Sequence, residues 1–265
     1  MAEETPFGLS GAQAVVALVM LEWAAGTLGA AVWTQSWSVV TRGHFRILAW
    51  CALVVTGLAL LSVRSAAPGF PIAGAGLALG CAVYLAVQYS RTEIPALVAG
   101  AAAAAAGALA LVTLAAEIDG WSQALGSLAL VAGAVLLGGV TNGMLLGHWY
   151  LNQPGLKPWA LARLTHLTLA AIVASFVIGA VAAPKLSTAV ATGGLLGMAG
   201  FGESFGVAFY VIWISLVVFT GAVAWMARRC VMIRSIQSAT GLYYVALLTA
   251  GVSEFLVRYL MVNSG

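Results

Sequence analysis

The stretch TGLYYVALLTAGVSEFLVRYLMV, Thr240–Val262, holds only two charged side chains, Glu254 and Arg258. An apolar run of roughly 20 residues is what an α-helix needs to cross a bilayer core. Glu254 and Arg258 are one helical turn apart, so they point the same way and can neutralise each other. Ionisable groups in spanning helices are costly; they face the bundle interior and often mark a proton, ion or quinone pathway. The plainer reading of this pair is an ion pair that locks helix packing.

Seven further apolar runs precede it, at about 10–34, 45–64, 70–90, 94–116, 123–149, 161–183 and 205–227. Across the whole chain 62% of residues are hydrophobic and 7% are charged, against roughly 25% charged in a soluble domain. The fold class expected is therefore an all-α integral membrane protein, a bundle of about eight transmembrane helices. Loops are short, so residues 1–265 form a single transmembrane helical domain. The first nine residues are acidic rather than basic, which argues against a cleavable signal peptide.

Placement of lysine and arginine sets the expected orientation. With the N-terminus outside, the inner side holds Arg42, Arg46, Arg91, Lys157, Arg163, Arg228, Arg229 and Arg234. The outer side then holds Arg64, Lys185 and Arg258, together with most acids: Glu3, Glu4, Glu117, Asp119 and Glu203. This bias implies an N-out, C-out, multi-pass protein of the inner (cytoplasmic) membrane. The net charge of +3 is thus a topology signal with lipid as partner, and no nucleic acid is expected. Cys51, Cys81 and Cys230 share no motif spacing and read as small packing residues.

Glu22 lies near the middle of the first run, with no charged residue one turn away. It needs a partner from another helix or must carry a proton. Glu22, Glu254 and Arg258 are accordingly the leading candidate functional residues. All three histidines fall at the inner side: His44 opens the second run, His148 closes the fifth and His166 lies early in the sixth. His148 and Trp149 belong to the most distinctive local sequence, Gly147–Gly155. Three clustered histidines can hold a quinone headgroup or a metal; ordinary interfacial histidines among Trp33, Trp37, Trp50, Trp149, Trp159 and Trp225 are the alternative. A stacked haem pair needs four axial histidines, two towards each face, so no haem is expected. No nucleotide-binding or zinc-hydrolase motif is present.

Packing signals are also legible. Gly139, Gly143 and Gly147 form a stripe at four-residue spacing in the fifth run, and Gly76 and Gly80 do the same in the third. Such stripes admit a neighbouring backbone. Asn142 sits beside the first stripe, where its amide is expected to bond across helices. The glycine-rich outer stretch Pro184–Gly206 reads either as a re-entrant segment or as an early start of the seventh run. No convincing internal repeat is visible, because one half has its glutamate in the opening helix and the other in the closing helix.

The final segment, Leu247–Tyr259, carries a Glu-x-x-x-Arg pattern before an aromatic. With its topology, it resembles the closing helix of the membrane anchor subunits of the dimethyl-sulfoxide-reductase and polysulfide-reductase type. The resemblance implies a haem-free subunit that passes electrons between the quinone pool (ubiquinone or menaquinone) and docked iron–sulfur and catalytic subunits. On the quinone reading, Tyr259 is the residue expected to hydrogen-bond a quinone carbonyl. One departure is the stretch Leu61–Ser65, where those anchors often carry a histidine and this chain has none; the inner-face histidines then become the other place for a quinone. A proton-coupled secondary transporter and a non-catalytic assembly or scaffold subunit are the rival readings.

Overall fold

A computed structural model describes residues 11–62, 69–90, 92–153, 155–189 and 205–264. Among them are eight helices long and apolar enough to cross a membrane: α1 (Gly11–Gln35), α2 (Arg42–Ser62), α3 (Gly69–Val87), α4 (Glu93–Ala115), α5 (Gln123–Asn152), α6 (Trp159–Val181), α8 (Phe205–Met232) and α9 (Ile236–Val262). A single turn, α7 (Ala183–Leu186), follows α6. The eight spans match the count read from the sequence. α5, α8 and α9 run three to five residues further than their apolar runs at the basic face. Helical hydrogen bonding continues there while residues such as Arg228 and Arg229 extend their charges toward the interface.

Helix neighbours arrange the chain into two rings of four. α1, α2, α3 and α4 pack in sequence and close through α1 against α4; α5, α6, α8 and α9 do the same and close through α5 against α9. The rings join where α1 meets α5 and α9, and α5 meets α1 and α4. The neighbour pattern of one ring therefore repeats in the other. This repetition is not legible in the residues, because one half has its glutamate in the opening helix and the other in the closing helix. α1 and α5 form the seam and are the most buried spans.

Small residues explain why the seam closes. A Cβ on Gly26 would lie 1.7 Å from the Ala134 carbonyl oxygen, and one on Gly138 would lie 2.0 Å from the Gly26 carbonyl oxygen. Backbone thus meets backbone, the arrangement that favours dispersion between spanning helices when lipid offers no hydrophobic drive. The expected stripe on α5 works in the other direction: Gly139 faces Thr168, Gly143 faces the Tyr243 ring and Gly147 faces Thr240. On α3 only Gly80 acts as expected, against Ala103; Gly76 faces open space.

Both ends of the described chain lie at one face, with the Ile118–Trp121 turn and α7. The other face carries the basic residues, several stacked on rings: Arg163 over Trp159 at 4.6 Å, Arg46 over Tyr89 at 4.4 Å and Arg228 over Trp225 at 5.1 Å. Aromatic platforms of this kind keep a guanidinium at interface depth. Of the glycine-rich stretch Pro184–Gly206, the structure gives α7 and the start of α8. Its glycines Gly193, Gly194, Gly197, Gly200 and Gly202 lie outside the described residues, as do Glu3, Glu4, Arg64, Arg91 and Glu203.

Candidate functional site

Arg258 is the centre of a buried triad. Its Nε donates to Glu22 Oε1 at 2.8 Å, and its Nη2 donates to Glu254 Oε2 at 2.9 Å. Nη2 also donates to the Ala129 carbonyl at 2.7 Å, and Nη1 lies 3.8 Å from Met261 Sδ. The three residues are 0–2% exposed. Glu254 and Arg258 form the expected intrahelical pair, and the partner that Glu22 requires is the same guanidinium. α1 supplies one acid, α9 the other acid and the base, and α5 the carbonyl, so the triad sits across the seam between the rings.

Two carboxylates share one cation here. Glu22 Oε2 and Glu254 Oε1 have no hydrogen-bond partner among the described residues. A fully ionised triad would bury one surplus negative charge, and uncompensated charge in a low-dielectric site is strongly disfavoured. One proton shared between the two acids restores neutrality. The arrangement therefore has the composition of a proton-binding site, with a free oxygen on each acid to receive or release it.

Sequence reasoning did not single out Gly133. A Cβ at that position would lie 2.4 Å from Glu254 Oε2 and 2.5 Å from Arg258 Nη2. The α5 surface is hollowed at this point to admit the pair. The available signal was its place one turn beyond Ala129 on a helix rich in small residues, but nothing in the sequence aligned that turn with position 254.

The three histidines have separate partners. His44 is buried and its Nε2 lies 2.8 Å from Asn142 Oδ1; that amide also donates to the Ala30 carbonyl at 2.9 Å and to Thr34 Oγ1 at 2.7 Å. Because the Asn142 oxygen accepts, the network assigns the proton to His44 Nε2. His148 meets the Tyr244 hydroxyl at 3.0 Å and the Met144 carbonyl at 3.2 Å. His166 Nε2 accepts from Arg228 Nε at 2.8 Å. Among the described residues no group of three or more histidine, cysteine or acidic side chains is placed to hold a metal.

The distinctive Gly147–Gly155 segment forms a clamp onto the α1–α2 turn. Trp149 Nε1 donates to Thr41 Oγ1 at 3.0 Å and to Gln153 Oε1 at 3.1 Å, and Gln153 Nε2 donates to the Val39 carbonyl at 2.8 Å. The Trp149 ring also packs on Gly43, where a Cβ would come within 2.6 Å. Tyr259 stands apart from the histidines: its ring packs against Phe205, 5.6 Å between centroids, and along Phe255 on α9.

One groove opens between α1 and α5, with no residue of the triad in its lining. It has a volume of about 310 Å³ and is floored by Ala25, Gly26, Gly29 and Ala30 of α1 with Ala134 and Val135 of α5. Gly26 is one turn from Glu22 and Ala134 follows Gly133. Toward the basic face the groove reaches Trp33 and Leu167, which also border a shallower hollow with Trp37, Arg163 and His166. No protein family, no curated protein and no solved structure matches this chain.

Proposed function

We propose that this chain is a quinone-interacting membrane subunit of a multisubunit respiratory oxidoreductase. It passes electrons between the quinone pool and partner iron–sulfur and catalytic subunits, and the Glu22–Arg258–Glu254 triad is its proton carrier. The observation that carries the reading is the buried pair of acids on one guanidinium; an apolar groove that includes Gly26, one turn along α1 from Glu22, supports it. Quinone turnover moves two protons with two electrons, so a titratable group must stand near the route of an apolar ligand. The groove is apolar and of the size that holds small apolar ligands. In this reading the basic face is cytoplasmic and both termini are outside, as the lysine and arginine bias requires.

The test is isolation of the tagged chain from its native membrane under mild detergent, with mass spectrometry of co-purifying proteins and of extracted lipid. An iron–sulfur or molybdenum subunit with a quinone in the extract supports the reading. A chain that purifies alone, without quinone, contradicts it.

A proton-coupled secondary transporter is the second reading, and the repeated neighbour pattern of the two rings favours it. Parallel repeats with a site at their interface are a common transporter plan, and the triad lies at that interface. Proton uptake driven by a solute gradient in proteoliposomes containing the chain alone would establish this reading over the first.

A further inference from the structure

A second, smaller cavity borders Glu254 and Arg258. Its volume is about 20 Å³, and it is bordered by Glu254, Ser175 of α6 and Trp213 of α8, then by Ala182, Leu186 and Trp121 at the face that carries α7. Three of the residues that border it carry a buried polar atom with no hydrogen-bond partner among the described residues: Glu254 Oε1, Ser175 Oγ and Trp213 Nε1. Each side chain is more than nine-tenths buried. Unsatisfied buried polar groups are uncommon and costly, and three around one void call for a common partner. A water needs about 10–15 Å³ of such volume and two to four polar contacts; the volume suffices, and the three unpartnered groups are the contacts on offer.

We propose that this cavity is a built water site through which Glu254 exchanges protons with the α7 face. Trp213 Nε1 can only donate, so the water oxygen accepts from it. The water then donates to Glu254 Oε1 and shares a hydrogen bond with Ser175 Oγ, which can act in either sense. A proton arriving from the face is taken up as hydronium and passed to Glu254 Oε1, which becomes a neutral carboxylic acid as the water returns to neutrality. Glu22 does not line this cavity; it faces the same guanidinium from the seam. The two acids thus differ in access, Glu254 through water and Glu22 only through the triad. This inference rests on the triad as a proton site and not on the identity of the electron carrier, so it stands or falls apart from the quinone assignment.

The test is X-ray hydroxyl-radical footprinting of the purified protein, in which a bound water generates the radical beside buried side chains. Trp213 should be oxidised several-fold faster than the equally buried Tyr84 and Tyr243, after correction for intrinsic reactivity, because each of those hydroxyls has a protein partner. Ser175→Val, which fills the void, should abolish that excess. Trp213 reacting no faster than the two tyrosines in the unaltered protein overturns the water site without any variant. For the proton role, the infrared carboxyl band that disappears in Glu254→Gln should show hydrogen–deuterium exchange slowed several-fold in Ser175→Val. Absence of such a band at every pH, or unchanged exchange after loss of the footprint, overturns the role of the water in proton exchange.

Discussion

Glu22 and Arg258, separated by 236 positions in the chain, are joined by a 2.8 Å charge-assisted hydrogen bond between the first and last helices. The bond crosses the seam between the two four-helix rings, so the only described ion pairs of the protein serve at once as a latch and as a store of ionisable groups. A latch alone would need one acid. The second acid, with its free oxygen, is what suits the contact to the proton role proposed for it.

Removing the cation should be the most damaging single change. Arg258→Leu leaves two buried acids without compensation, and breaking a buried ion pair from one side costs about 3–5 kcal/mol. The triple change Glu22→Gln, Glu254→Gln and Arg258→Met should be better tolerated. Melting temperature and monodisperse yield in detergent report the difference; equal losses would show that the three side chains are not coupled.

Gly133→Ala tests the fit of the triad to α5. The added methyl would lie 2.4 Å from Glu254 Oε2, so the pair must move or the helices must part. Gly76→Ala is the matched control, since nothing lies within 4 Å of its Cβ position. The first should lower the melting temperature clearly; the second should leave it unchanged or raise it, because alanine is favoured over glycine in a helix by about 1 kcal/mol. Indistinguishable variants would contradict the packing described.

Asn142 should matter through its three hydrogen bonds rather than its volume. Asn142→Leu strands His44 Nε2, at an expected cost of about 1–3 kcal/mol for that unsatisfied group, while the Thr34 hydroxyl keeps its bond to the Ala30 carbonyl. Adding His44→Phe to Asn142→Leu should cost less than the sum of the two single changes, because they share one network. Additive losses in a thermal-melting cycle would exclude that network.

Orientation is open to direct measurement. Reporters fused to the two termini should both read as external, leaving Arg163 and Arg228 on the cytoplasmic side. Reporters on opposite sides would refute the eight-span path, and two cytoplasmic reporters would refute the orientation.

Much of the fold was legible in the sequence because each span is a long apolar run, and bilayer thickness fixes how long that run must be. The Glu254–Arg258 pair was legible for the same local reason, four residues on one helix. Glu22 announced a need for a partner but not its address, since that depends on which helices meet. Gly133 and Gly26 were not legible: a glycine marks close approach only once its neighbour is known, and their neighbours lie on other helices. The histidines shared a face in sequence and have separate partners in space, because one membrane face is wide enough to hold several unrelated sites. The small cavity at Ser175 and Trp213 had no sequence signal, as its walls come from α5, α6, α7, α8, α9 and Trp121.

The central claim, that the triad carries protons for quinone chemistry, is tested most directly by turnover of the intact complex bearing Glu22→Gln or Glu254→Gln. A quinone analogue reports the membrane route, and a soluble dye that reacts with the partner subunits bypasses it. The account expects an assembled complex with its dye-linked rate retained and its quinone-linked rate selectively lost in at least one variant. Full quinone-linked turnover in both variants would contradict it and leave the two acids with a purely structural role.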